Sequence, residues 1–165
     1  MSHKDSKNRA LLFADLKDPV NFVALGFGSG LSKVAPGTMG TLVAIPLYLL
    51  LQPLALGDYI AVVVAISLVG IWLCDRAAKT LGVHDHPGIV WDEIAGYLLT
   101  MVAAPPGWQW VVLGFCLFRL FDIWKPWPIK VIDRKVEGGL GIMLDDIVAA
   151  LFAWGLLQLT VWFVA

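Results

Sequence analysis

Polar and apolar positions fall in long blocks along this chain. Apolar segments span about 39–56, 59–74, 94–104, 107–121 and 147–165, and none has a charge in its middle. Turn formers separate them: Gly57-Asp58 follows the first segment and Pro105-Pro106 the third. The pattern predicts an all-α, polytopic membrane bundle of about five apolar helices. Ahead of them lies a Gly-rich stretch, either re-entrant or cytoplasmic. A spanning helix needs roughly 20 apolar residues to cross a hydrocarbon core of ~30 Å. The second segment offers 16 and the third only 11, so they cross only by continuing into polar residues at one end.

Charge placement sets the orientation. With the N-terminus inside and five crossings, the outer loops are Gly57-Asp58 and the Pro-Pro-Gly-Trp stretch at 105–108. All 12 Lys and Arg residues then lie on the inner face, as do all but one of the 13 acids. An excess of Lys and Arg inside is the positive-inside rule. Composition agrees, with 59% hydrophobic residues, 15% charged and a mean hydropathy of +0.78, against about a quarter charged in an ordinary soluble domain. The length fits one domain, so we expect a polar cytoplasmic tail at 1–20 and a single membrane-embedded domain at 21–165. The tail lacks the apolar core of a signal peptide. A net charge of −1 argues against nucleic acid, which needs a basic footprint. Cys74 and Cys116 fall within apolar runs, away from any zinc spacing, and read as buried small hydrophobes.

Clusters of polar residues border the inner face. Asp92 and Glu93 open the third segment, and Asp145 and Asp146 open the fifth. One acid per helix is explained by capping and the helix dipole. Two adjacent acids near lipid depth cost more than a cap returns. Asp146, Ala149, Ala150 and Ala153 form one helical stripe, and Asp92 shares a face with Gly96. Small residues mark close helix approaches in membranes, so Asp92 and Asp146 are expected to face a tight helix junction. Arg119 and Asp122 share a face three residues apart, and Lys125 precedes the helix-stopping Pro126. Lys130, Arg134 and Lys135 read as inner-leaflet anchors beside Trp124 and Trp127. The Gly-rich run 26–41 contains Lys33, Thr38 and Thr41. It offers backbone amides to a phosphate, or an N-cap at Thr38 or Thr41. His84 and His86 offer a further pair of metal ligands, although a polar loop explains them more simply. Several carboxylates with Arg and Lys at one membrane face suit Mg²⁺ and a phosphate, and hence phosphoryl chemistry.

The runs GFGSGLSKVAPGTMGT, GVHDH with VWDE, FRLFDIWKPWPI and GGLGIMLDDIVA together resemble the phosphatidylglycerophosphatase A family of bacterial membrane enzymes, from about Asn21 onward. The resemblance implies Mg²⁺-dependent hydrolysis of phosphatidylglycerophosphate to phosphatidylglycerol and inorganic phosphate. It places the enzyme in the inner membrane, as a multi-pass protein with its site toward the cytoplasm. On this basis Asp92, Glu93, Asp122 and Asp146 are assigned to catalysis and metal binding, with Asp145 as a further metal ligand. Lys33, Thr38, Arg119 and Lys125 are assigned to the phosphate oxygens. Whether the attacking group is water or a carboxylate stays open, as does the oligomeric state. A CDP-alcohol phosphotransferase is the enzymatic rival, but its D-G-x₂-A-R…G-x₃-D-x₃-D pattern is missing. A non-enzymatic transporter or scaffold would hold its charges nearer mid-membrane.

Overall fold

The computed structural model describes residues 10–83 and 86–164, and among them every regular element is helical. After a 3₁₀ turn at Phe13–Lys17 come α1 (Pro19–Ala24), a second 3₁₀ stretch (Gly26–Leu31), α2 (Pro36–Leu51) and α3 (Leu56–Leu81). Then follow α4 (Trp91–Thr100), α5 (Trp108–Trp124), α6 (Ile129–Lys135) and α7 (Gly138–Val164). The last helix is the axis of the bundle, with α3, α4, α5 and α6 packed around it, and α2 lies against α4.

Local chemistry sets the ends. Pro36 sits in the first turn of α2, where its missing N–H costs nothing. Gly82 closes α3 in the left-handed region at φ 70°. Pro105-Pro106 lies between α4 and α5, as expected, and Pro126 follows the end of α5. Three sequence expectations need correction. Gly57-Asp58 is not the break after α2; it lies in the first turn of α3, where Asp58 faces the positive end of the dipole. Neither Thr38 nor Thr41 is an N-cap. Ala35 takes that position, and Thr41 Oγ1 donates inside the helix to the Gly37 carbonyl at 2.9 Å. The last helix begins at Gly138 rather than near Ile147, so Asp145 and Asp146 lie two turns inside it and cap nothing. The glycines that look like a breaker in sequence let α7 approach α3. A Cβ on Gly139 would lie 2.0 Å from the Ile71 carbonyl oxygen.

The expected tight junction is present. Ala149, Ala150 and Ala153 are wholly buried, and a Cβ on Gly96 would lie 2.6 Å from the Phe118 ring and 3.4 Å from the Asp146 carbonyl oxygen. Helix α4 is only 10 residues long, and neighbouring side chains meet the carbonyls at its far end. Tyr59 Oη donates to Leu98 O at 2.7 Å. Trp154 Nε1 and Gln158 Nε2 both donate to Val102 O, at 3.0 and 2.9 Å. Where water is scarce, each backbone polar group needs such an internal partner.

Among the described residues, two helices are long and apolar enough to cross a membrane: α3, with a mean hydropathy of 2.1, and α7, with 2.0. Only 22% of the most apolar stretch of each is buried, unlike the core helix of a soluble domain. Trp72 is 58% exposed and Trp162 75%, so their outer faces present large apolar side chains. Cys74 is buried as expected, but Cys116 is exposed on the outer side of α5.

Candidate active site

At the polar end of the bundle is a cavity of about 570 Å³. Five of its acids come from three helices, and a sixth, Asp133, from α6. The first turn of α4 carries Asp92 and Glu93, α5 carries Asp122, and α7 carries Asp145 and Asp146. One oxygen each from Asp92, Glu93 and Asp146 lie within 4.8 Å of one another. Asp122 is buried at their side, within interaction range of Asp146.

Arg119 is locked among these acids. Its Nη1 pairs with Asp122 one turn along α5 and lies 3.6 Å from Glu93 Oε1, with the guanidinium only 13% exposed. Lys125 ends α5 in the left-handed region (φ 45°, ψ 60°). Its Nζ reaches Asp133 of α6 at 2.7 Å and Asp145 at 2.5 Å. Burial alone would lower the pKa of this ammonium, but its hydrogen bonds to Asp133 and Asp145 outweigh that and raise it above the ordinary lysine range.

Several enclosed oxygens have no hydrogen-bond donor: Asp92 Oδ1, Glu93 Oε2, Asp145 Oδ1 and Asp146 Oδ2. A buried carboxylate oxygen without a donor is costly, and gathering three acids adds repulsion. A hard divalent cation relieves both. Two oxygens on opposite sides of Mg²⁺ stand about 4.2 Å apart, twice the usual bond length, so the Asp92, Glu93 and Asp146 oxygens, within 4.8 Å of one another, need close by no more than a few tenths of an ångström to share one ion. In charge, hardness and spacing this donor set fits such a cation. Two acids and an arginine remain beside it.

A family model for phosphatidylglycerophosphatase A matches residues 22–161, which takes in every residue that lines the cavity. The chain belongs to the phosphatidylglycerophosphatase A family. It is 49% identical over 156 residues to the Phosphatidylglycerophosphatase A of Escherichia coli, covering 94% of this chain and 89% of that protein. It is 43% identical over 150 residues to the protein of the same name in Haemophilus influenzae, covering 90% of this chain and 92% of the other. A relative in Bacteroides thetaiotaomicron is 37% identical over 148 residues, covering 85% and 92%, and is named, provisionally, a phosphatidylinositol-3-phosphatase. No solved structure matches the chain.

Not every residue assigned from the phosphatidylglycerophosphatase A resemblance reaches the cavity. Asp92, Glu93, Arg119, Asp122, Lys125, Asp145 and Asp146 all line it. Asp145 stands apart from the acid cluster in its ion pair with Lys125. Lys33 is exposed and Thr38 half-buried, and neither lines the cavity. The Gly-rich run instead serves close packing: a Cβ on Gly30 would lie 1.9 Å from the Gly88 carbonyl oxygen. Of this run only Ala35 to Gly37 reach the wall. There Gly37 makes room for the acids, since a Cβ at that position would lie 2.0 Å from Glu93 Oε1. His86 is buried in the wall with Nδ1 accepting from Gly88 N–H at 3.0 Å, while His84 lies outside the described residues.

Sequence reasoning missed Arg134 and Asp133, both of which line the cavity. The signal was the prolines at 126 and 128. They end α5 and let α6 pack against α7, turning an apparent headgroup anchor into part of the wall.

Proposed function

We propose that this chain hydrolyses the terminal phosphomonoester of phosphatidylglycerophosphate, giving phosphatidylglycerol and inorganic phosphate, with Mg²⁺ as cofactor. The observation that carries this is the convergence of Asp92, Glu93 and Asp146 beside the Arg119–Asp122 pair, in a chain of the phosphatidylglycerophosphatase A family. Asp92, Glu93 and Asp146 hold the ion, and Asp122 stands next to them. Bound Mg²⁺ supplies positive charge against the phosphoryl oxygens, which gather negative charge as the ester bond breaks. Asp122 and Glu93 fix the Arg119 guanidinium, whose remaining N–H groups point a fork at the same oxygens. Nζ of Lys125 spends two of its three protons on Asp133 and Asp145, leaving one for the substrate. The P–O bond to the glycerol oxygen breaks, water supplies the new P–O bond, and its protons are shared between the released hydroxyl and the phosphate. Trapping a phosphorylated Asp or Glu during turnover separates attack by a carboxylate from direct attack by water.

In the proposed topology five helices cross the bacterial inner membrane, with the cavity open to the cytoplasm. At 1.5 Å per residue, α2 and α5 extend about 24 and 26 Å, and α3 and α7 about 39 and 40 Å. Helix α4 reaches only about 15 Å. It starts from the cavity floor, so the site is sunk below the surface and the lipid tails stay in the bilayer while the headgroup enters. The charge asymmetry of the sequence and the carbonyl partners at the far end of α4 support this arrangement.

The test is phosphate release by the purified protein from phosphatidylglycerophosphate in detergent micelles, without nucleotide. Release is expected with Mg²⁺ and is expected to stop with a chelator. Asp122→Asn should lower turnover by about 10²-fold, because it frees Arg119 from its fixed orientation, while helicity stays unchanged. No release with Mg²⁺ present refutes the assignment. An Asp122→Asn protein with wild-type turnover removes Asp122 from the machinery.

A further inference from the structure

Among the described residues three arginine or lysine side chains line the cavity, and two are already committed: Arg119 to Glu93 and Asp122, and Lys125 to Asp133 and Asp145. The third, Arg134, makes no ion pair with any described carboxylate and is exposed. We infer that Arg134 binds the phosphodiester of the lipid headgroup, the phosphate that is not hydrolysed, and thereby selects substrates that carry two phosphates. This rests on the reading of the site as a lipid phosphatase.

The backbone under Arg134 is held firmly. Ile129, at the start of α6, is fully buried, and Asp133 is tied to Lys125, which in turn is tied to α7 through Asp145. The guanidinium therefore extends from a braced helix rather than a loose surface arm. Depth orders the cations in the cavity. Arg119 lies among the acids at 13% exposure, and Arg134 is nearer solvent. A headgroup with its monoester at the acids has its diester one glycerol unit back toward the opening, on the side of the exposed cation. An arginine fork suits a phosphodiester's two free oxygens. Lys130 and Lys135 sit on the same short helix but do not line the cavity, so a simple attraction to anionic lipid would draw on all three alike.

Kinetics of the full-length protein with Mg²⁺ in neutral detergent micelles, where no anionic surface contributes, provide the test. Arg134→Ala should raise the KM for phosphatidylglycerophosphate about tenfold or more, as expected for loss of a charge-assisted hydrogen bond. The kcat should stay within about twofold, since the diester is bound alike in ground and transition states. Arg134→Lys should fall between, and Lys130→Ala and Lys135→Ala should match wild type. Glycerophosphoglycerol, a soluble diester with no terminal phosphate, should compete with substrate in the wild type and lose potency against Arg134→Ala. An unchanged KM, an equal shift in Lys130→Ala, or a fall confined to kcat overturns the inference. A wild-type protein that releases no phosphate overturns the phosphatase reading itself, which is a different result from an active wild type indifferent to Arg134→Ala.

Discussion

A single methyl group added at Gly37 separates folding from catalysis. It would lie 2.0 Å from Glu93 Oε1, 3.0 Å from Glu93 Cδ and 3.1 Å from Arg119 Nη1. Ordinary contact begins at 3.4 Å, so the Glu93 carboxylate must retreat by about 1.4 Å, a distance at the scale that reorganises an active site. The atom that moves is the tip of a flexible side chain, so the fold loses no more than about 1–3 kcal/mol, the usual range for overpacking. The acid cluster loses one of its three oxygens from position, and a displacement near 1 Å can cost about 10²-fold in rate, or about 2.7 kcal/mol of barrier. Gly37→Ala should therefore fold, melt no more than about 10 °C below the wild type and release phosphate about 100-fold more slowly. Gly155→Ala is the control, because nothing lies within 4 Å of a Cβ there. Gly30→Ala should show the opposite pattern and lose stability first, since the Cβ meets the backbone oxygen of Gly88 at 1.9 Å and backbone cannot swing aside. Wild-type turnover in a folded Gly37→Ala protein would refute the placement of Glu93 at the reacting centre.

Two further substitutions test the supports of the site. Lys125→Met leaves Asp145 buried without its cation and should cost about 3 kcal/mol, the low end for a broken buried pair because Lys125 keeps some exposure. Adding Asp145→Asn should recover much of that loss, read as thermal unfolding in detergent. Tyr59→Phe strips the donor from Leu98 O and should cost about 1–3 kcal/mol, with KM unchanged because Tyr59 does not line the cavity; an unchanged melting temperature would show that the carbonyl has another donor.

Much of the site could be read from the chain because its cost is written there. Adjacent acids beside apolar runs have few uses, and the small stripe of Ala149, Ala150 and Ala153 says which member faces the junction. The start of α7 could not be read. Gly138, Gly139 and Gly141 look like helix breakers, and only the structure explains them: Gly138 takes φ 75°, Gly139 admits the close approach of Ile71 and Asp75, and Gly141 that of the Val136 carbonyl. The same ambiguity turned the glycines at 26–41 into a candidate anion loop, when Gly30 and Gly37 are small because a carbonyl and a carboxylate need the space. Arg134 was hidden for a different reason. A basic residue beside tryptophans and prolines reads as a membrane anchor until α6 is seen folded against α7.

The shortness of α4 has an electrical consequence. A second, smaller void of about 170 Å³ adjoins its far end, bounded by Tyr48, Gln52, Tyr59 and Met101. Under the proposed topology the two hollows are divided by little more than one short helix, about 15 Å long, against a hydrocarbon layer of ~30 Å. In that topology the plug of Ile94, Ala95 and Leu98, all at most 1% exposed, would insulate as well as support, sealing the bilayer against proton leakage where it is thinnest.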